Sequence, residues 1–483
     1  MKLRLICAGL LSALLFSCSY NGRTTLPTVD DIDKTMAKGE FTEAAKMIRL
    51  ALTSDSLSEK ERYDLNFKID LMERIRKDFD TDDTTVVSYL KKYHPQVTPE
   101  EIANWEKSNA LEHMVIDGKK KYFYAAGRNL FRIDSSAAKY FTEPNGGQSD
   151  SLNRFLAWHI PQLVQKAKQS KKSLFDPIKV TIKYTLTIKP DQVPDGEIVR
   201  VWMPYPRRDK AAHTGIELLS ASDSKYLISP VESLHSSIYM EGKAKAGEPL
   251  VFTYEFKYNS FARWYNFAPQ EAKPYDTTSA IYKNYTSQQL PHIAFSENIK
   301  SAVKEAIGDE TNPYLKARKI YEWIDSRFPW ASAREYSTIA NIPEYVLSNR
   351  HGDCGQVSLL FITMARYAGI PAKWESGWML HPGNKNLHDW AEAYFEGIGW
   401  VPVDQSFGRV KGSIDDQDSY YFFTKGLDAY RLIVNDGISG DFYPAKIHPR
   451  SETVDFQRGE VEWRGGNLYF GRWKYKMEVT FSL

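Results

Sequence analysis

Cysteine is nearly absent from this chain. Of 483 residues only Cys7, Cys18 and Cys354 are cysteine, and the first two fall within the first eighteen positions. That excludes a disulfide-stapled scaffold and a thiolate metal cluster. There is no Cys-x-x-Cys, no His-Glu-x-x-His and no EF-hand loop, so no metal and no cofactor is expected. An excess of charge of one sign is also lacking, since 63 Lys and Arg stand against 61 Asp and Glu. No nucleic-acid or other polyanion partner is implied. The one clear apolar run, Leu5 to Phe16, is shorter than the roughly 18 residues that span a bilayer. No internal repeat is evident.

What is present begins with that run. Lys2 and Arg4 precede it and Leu15-Phe16-Ser17-Cys18 closes it. This resembles a bacterial lipoprotein signal with its lipobox. Cleavage before Cys18 would remove residues 1–17, Cys7 included, and leave Cys18 to be diacylated, with 18–27 as a polar tether. A plain cleaved signal peptide and a short N-terminal membrane anchor are the alternatives. The expected place is the bacterial cell envelope, outer membrane preferred, facing periplasm or exterior. Removing 17 of 483 residues leaves 466, or about three domains at roughly 150 residues each. Cys354 would be the only thiol left free.

The pattern changes twice along the body. Over 28–173 it is helical. Phe41, Ala44, Ala45, Ile48 and Leu52 recur at helix spacing, and Thr98-Pro99-Glu100-Glu101 reads as a helix start. Within this region Glu143 to Asp150 reads as a linker, and Asp64 to Lys77 and Lys119 to Lys121 read as solvated faces. Over 174–264 the period becomes two. Ile178, Val180, Ile182, Tyr184, Leu186 and Ile188 alternate, Val199, Val201 and Met203 repeat the pattern, and a strand follows from Leu250 to Tyr258. An antiparallel sandwich is expected there, with Tyr184, Tyr254 and Phe256 in its core. Over 265–450 helical segments return at Ile299 to Ile307 and Tyr314 to Phe328. The last stretch, 451–483, reads as strands that pack on the core, at Val454 to Phe456, Gly459 to Trp463 and Tyr469 to Phe481.

The chemistry concentrates in the third region. Cys354 lies in Arg350-His-Gly-Asp-Cys-Gly-Gln356, where Asp353 and Gln356 form an aspartate variant of the capping box. Val357, Leu360, Phe361, Met364 and Ala368 then share one face, and Gly369-Ile370-Pro371 ends the helix. A thiol in the first turn meets unpaired N–H groups and the positive end of the dipole, which favour a thiolate and can bind an oxyanion. A small buried residue at a helix start is the alternative reading of Cys354. Further on, Leu387-His-Asp-Trp-Ala-Glu-Ala-Tyr-Phe395 places His388, Trp390 and Glu392 on one strand face. Gly397-Ile398-Gly399 turns the chain, and Trp400-Val-Pro-Val-Asp404 returns Asp404 beside His388. A carboxylate bonded to one imidazole nitrogen fixes the tautomer and supports the imidazolium.

These motifs resemble the transglutaminase-like core. They are Tyr321-x-x-Ile324, Gly352-Asp353-Cys354-Gly355, Ala365 to Pro371, His388-x-Trp390-x-Glu392 and Gly399-Trp400-Val-Pro-Val-Asp404, within about Ala317 to Phe407. The resemblance implies an α+β fold with a papain-like core. In this chain an antiparallel β-sandwich and an N-terminal helical region would precede it. It implies a Cys354, His388, Asp404 triad and acyl transfer through a thioester. It assigns the base to His388 rather than His351 or His381, the latter read as loop. The fold normally supplies a side-chain oxyanion donor from upstream, and Tyr336, Trp330 and Gln356 are the candidates, Tyr336 preferred. Trp374 to Leu380 and the Trp330 to Ser337 loop are expected to border the substrate cleft. The expected function is a cell-envelope cysteine hydrolase of peptide, isopeptide or amide bonds in a protein or peptide substrate. The alternatives are a crosslinking transglutaminase with an amine acceptor, or a non-catalytic envelope scaffold.

Overall fold

The computed structural model describes residues 26–141 and 147–482, so the signal, Cys18 and most of the tether lie outside the described residues. The chain forms two compact units, one ending at Ile69 and the other beginning at Asp70. The first holds α1 (Val29–Ala37), α2 (Phe41–Ala51) and the start of α3 (Glu59–Asp78), which carries the boundary. Phe41, Ala44 and Ile48 are buried with Ile32 and Leu65, the face the helical spacing predicts.

The second unit opens with α4 (Asp83–Lys91), α5 (Pro99–Lys107), β1 (His113–Ile116), β2 (Lys119–Tyr122), α6 (Ala126–Ile133), α7 (Ser135–Ala138) and α8 (Gly147–Ser170). Thr98 and Glu101 close a reciprocal capping box at α5, with Pro99 in its first turn. Three sequence expectations change here. The helical region contains a hairpin, because Asp117 and Gly118, at φ 47° and 75°, make the tight turn an Asp-Gly pair favours. Lys120 in that hairpin is bound to Asp83 at 2.7 Å and Glu106 at 2.9 Å rather than simply solvated. Arg74, inside the charged run of α3, is 1% exposed and donates to Asp70 and to the carbonyls of Arg450 and Ser451. Of the expected linker, residues 143–146 lie outside the described residues and 147–150 are the first turn of α8.

A β-sandwich follows: β3 (Leu174–Ile188), β4 (Ile198–Pro204), β5 (His213–Ala221), β6 (Leu227–Ile228), β7 (Ser237–Lys243) and β8 (Leu250–Trp264). β3 and β8 pair antiparallel from Ile178↔Ser260 to Ile188↔Leu250, which buries Val180, Ile182, Tyr184 and Leu186 with Tyr254 and Phe256. Next come α9 (Ala280–Tyr285), α10 (Glu297–Ile307), α11 (Pro313–Arg327), α12 (Ile342–Asn349), α13 (Cys354–Tyr367), β9 (Ala372–His381), β10 (Asn384–Phe395), β11 (Gly399–Val403), α14 (Gln417–Tyr420), β12 (Gly426–Leu427) and β13 (Arg431–Asn435). The chain closes with β14 (Glu460–Trp463), β15 (Gly466–Asn467) and β16 (Trp473–Ser482).

The protein is therefore α+β, with antiparallel sheets. One sheet runs β11-β10-β9-β13, one runs β12-β8-β3-β16 with β5 on β8, and one runs β15-β14-β4-β7-β6. The C-terminal strands hydrogen-bond to the sandwich, while Tyr475 of β16 packs edge-on against Trp378 of β9. β14 pairs β4 and β16 pairs β3, so they complete the sandwich, while Val454 to Phe456 form no strand. Trp378, Leu380, Leu432 and Val434 of the core sheet pack in the same cluster as the sandwich interior. Strand β9 is buried along its whole length, so Trp374 to Leu380 are interior rather than a cleft border; a central strand with neighbours on both edges has no open flank. Among the described residues no helix is long and apolar enough to cross a membrane.

Candidate active site

Helix α13 begins at Cys354 because Asp353 caps it. The Asp353 carboxylate accepts from Gln356 N at 3.0 Å, and the Gln356 side chain accepts from Asp353 N at 3.2 Å. The β10–β11 hairpin has the expected register, with Ala391↔Val403 and Tyr394↔Trp400. This brings His388 Nε2 to 2.7 Å from Asp404 Oδ2, both side chains buried. Arg431 from β13 reaches the same Asp404 oxygen at 3.1 Å, and Phe407 stacks on the imidazole at 4.7 Å between centroids. Burial acts to raise the Asp404 pKa, but the His388 and Arg431 charges hold it below the usual carboxylate range. Burial lowers the His388 pKa against the pull of Asp404, favouring neutral imidazole.

The thiol is not bonded to that imidazole. Cys354 Sγ donates to Asp389 Oδ2 at 3.3 Å. Neighbouring strand residues project to opposite faces, so Asp389 points toward α13, whose Ser358 hydroxyl bonds the Asp389 carbonyl at 3.3 Å. His388 points to the face carrying Trp390, Arg431 and Asp404. The structure thus joins two members of the expected trio and gives the third a different partner. The protonation state differs from expectation as well. Close packing around the sulfur, with Asp389 and Asp353 beside it, pushes the Cys354 thiol well above its ordinary pKa and outweighs the helix-start effect.

The surroundings of the thiol are acidic. Burial lifts Asp389 far above the carboxylate range, and the negative charge of the neighbouring Asp455 adds to the rise. Burial raises Asp455 too, brings Asp353 to about 6 and Glu452 to about 8. Gln457 Nε2 donates to Asp389 Oδ1 at 2.6 Å and fixes the carboxyl. The Glu452 shift sets a testable sign. A folded-state pKa raised from 4.5 to about 8 means the fold holds a proton that the unfolded chain releases above 4.5, so this group weakens the fold as pH rises through that window. Glu452→Gln cannot titrate. Its stability relative to the parent should rise steadily between about pH 4.5 and 8, as checked by denaturant unfolding at both ends.

The residues carrying this geometry match a known domain model. Residues 300–405 match the transglutaminase-like superfamily. The chain carries a transglutaminase-like core. An uncharacterized protein of Haemophilus influenzae is 27% identical over 186 residues, 32% of this chain and 48% of that protein. The uncharacterized protein YebA of Bacillus subtilis is 25% identical over 138 residues, 25% of this chain and 19% of its own length. The chain spans less than half the length of either relative. Among solved structures, a candidate cysteine protease from Cytophaga hutchinsonii has a TM-score of 0.42 at 15% identity, over 64% of this chain and 91% of that one. The periplasmic domain of TgpA from Pseudomonas aeruginosa has a TM-score of 0.26 at 13% identity, over 52% and 94%.

Around the transglutaminase-like core's thiol, the three oxyanion candidates separate. Tyr336 is adjacent: its hydroxyl donates to Asp353 Oδ1 at 2.7 Å and lies 3.4 Å from Asp389 Oδ2. Gly355 makes room for it, since a Cβ there would overlap the Tyr336 hydroxyl and come within 2.7 Å of Asp389 Oδ2. Gln356 is fully buried, its oxygen used in the cap, and its Nε2 has no partner among the described residues. Trp330 is bridged by its backbone to Gly352, but the residue is 46% exposed and its ring lies under the Arg132 guanidinium. Of the rival histidines, His351 is buried and neutral, pushed down to about 4 by burial. His381 ends β9 rather than sitting in a loop, buried and bonded to Asp428 at 2.6 Å.

The face of the core sheet that carries His388 and Trp390 also holds a charge cluster that the sequence did not reveal. Glu375, Glu392 and Asp436 bring carboxylate oxygens within 4.8 Å of one another. The space a cation would take holds the Lys210 ammonium, at 2.7, 3.0 and 2.8 Å from them. Lys373 and Arg263 complete the neutralisation, so the cluster ties the sandwich to the core sheet.

Proposed function

We propose that this protein is a cysteine hydrolase that cleaves peptide, isopeptide or amide bonds through a thioester on Cys354. The observation that carries the reading is the placement of Cys354 in the first turn of α13 within the segment matching the transglutaminase-like superfamily. The thiol has a carboxyl in direct contact and the Tyr336 hydroxyl nearby. Attack on a carbonyl would release the amine and leave an acyl group on sulfur, which water then removes. The His388–Asp404 pair, already hydrogen-bonded, is the second proton-handling unit of this reading and would take part if the thiol turned toward it.

A second reading has its own support. The absence of a thiol–imidazole bond and the protonated thiol suit a core kept as an envelope scaffold. Intact-protein mass separates the readings after residues 23–483 are incubated with a thiol probe, and separately with glutamine-containing peptides plus a primary amine. Cleaved or deamidated peptides support the hydrolase. Amine-dependent mass gain would mean a transglutaminase, and an unreactive Cys354 with unchanged peptides would mean the scaffold.

The same reading includes a lipid tether through Cys18 in the cell envelope, resting on the Lys2 to Cys18 pattern. Cys18→Ala should shift the protein from the membrane fraction to the soluble one. Metabolic labelling with a radioactive fatty acid that marks the parent and the variant alike, or neither, would count against the tether.

A further inference from the structure

We propose that a cavity between α8, the start of β3 and the turn before β13 is a binding site for a neutral saccharide, seating one pyranose ring. The cavity measures about 200 Å³. Sites for drug-sized ligands run to roughly 300–1,000 Å³, so this one admits a single ring with its substituents. Nothing in the acyl-transfer reading uses it. Tyr430 lines the cavity while the next residue, Arg431, reaches Asp404, so the cavity adjoins the candidate active site without belonging to it.

Local structure brings the lining together. Trp158, Gln162 and Lys166 stand four residues apart and form one row along α8, with His159 and Leu163 in the next row. In β3 a bulge between Phe175 and Ile178 interrupts the pairing with β8 and leaves Asp176 at φ 47°, in the left-handed region. A bulge re-aims the side chains it carries, and Asp176 here accepts from Lys166 Nζ at 2.8 Å through each carboxylate oxygen. Leu163 and Ala429, both buried, supply the apolar lining.

The aromatic residues give the site its recognition surface. Trp158 is 63% exposed beside the cavity. Its ring stacks on His159 at 6.0 Å, and the imidazole meets Tyr430 edge-on at 5.6 Å. Among the described residues the Trp158 indole N–H, the His159 imidazole and the Tyr430 hydroxyl have no hydrogen-bond partner. Gln162 donates its amide N–H to the Trp158 carbonyl at 2.9 Å and keeps its own oxygen free.

These groups select the ligand. Lys166 and Asp176 neutralise each other, and burial holds the His159 pKa below the ordinary imidazole range, so the lining carries no net charge near neutral pH. A charged ligand would meet no opposing charge there. A wholly apolar one would cover the Tyr430 hydroxyl and the His159 imidazole without offering either a partner, which disfavours it. A pyranose has a C–H face that packs on an aromatic ring and a rim of hydroxyls that both donate and accept, so it suits both parts of the lining.

The test is isothermal titration calorimetry of the full chain with glucose, galactose, mannose and N-acetylglucosamine, and with p-cresol as an aromatic ring of similar size. At least one sugar should bind saturably with a Kd on the order of 1 mM, and p-cresol should bind at least about tenfold more weakly. Trp158→Ala removes an exposed ring and should weaken the sugar about tenfold or more. Tyr430→Phe keeps the ring, removes one hydroxyl and should weaken it about threefold to tenfold. Saturable binding of none of the four sugars overturns the proposal, as does an affinity unchanged in either variant. p-Cresol binding as tightly as the best sugar overturns it too, because the cavity would then be a site for apolar rings. Where Trp158→Ala does not fold, Tyr430→Phe alone decides. The readout is binding, so the result does not depend on whether Cys354 is reactive.

Discussion

Cys354→Ser is expected to lower peptide hydrolysis by a factor on the order of 10⁴ or more while changing stability by no more than about 0.5 kcal/mol. Serine suits the first turn of a helix as well as cysteine does, and the Asp353–Gln356 capping box that defines this helix start does not involve the replaced atom. The hydroxyl keeps a hydrogen bond to Asp389 but is a far weaker nucleophile. An alkoxide is far harder to form than a thiolate, so the serine has no comparable nucleophile to offer. Hydrolysis is read by mass spectrometry of the peptide products, and stability by denaturant unfolding. A scaffold would give the opposite pattern, with the same peptides and the same binding in parent and variant. A variant that loses stability as well as activity would point to a packing role for the sulfur.

Much of this site was legible before any coordinates. The capping box at α13 depends on two residues three positions apart, and the β10–β11 hairpin on alternation closed by Gly397 and Gly399, both with positive φ. Both are local patterns. The partner of the thiol was not legible, although its residue was in plain view between His388 and Trp390. Alternation alone says that Asp389 and His388 face opposite ways. Which of the two faces α13 is decided by tertiary packing, and it was the family pattern that put His388 there. Asp455 and Gln457 were out of reach for a different reason. They come from an irregular segment before β14, brought to the site by pairing of β14 with β4. Non-local pairing of this kind leaves no periodic trace. The same holds for β16 on β3, with Tyr475↔Leu186 in register: each strand is visible in the sequence, but the pairing is not.

Lys210→Met is expected to cost about 3–5 kcal/mol of stability, the usual range when one partner is removed from a buried ion cluster. The cluster balances three carboxylates, Glu375, Glu392 and Asp436, against Lys210, Lys373 and Arg263. Lys210 lies among all three acids, and Glu375 is fully buried. Methionine fills the volume of the lysine stem, so packing is kept and the charge alone is lost. Glu375 then faces Arg263 without its second cation, while Lys373 serves Glu392 and Asp436 together. The cost should be largely electrostatic. A second substitution that removes one negative charge, Asp436→Asn, should therefore restore more than half of it in the double variant, although alone it destabilises by leaving excess positive charge. Denaturant unfolding of the four proteins gives the coupling. If the two losses simply add, the Lys210 charge is not coupled to Asp436 and the cluster is not the tie between sandwich and core sheet that its distances describe.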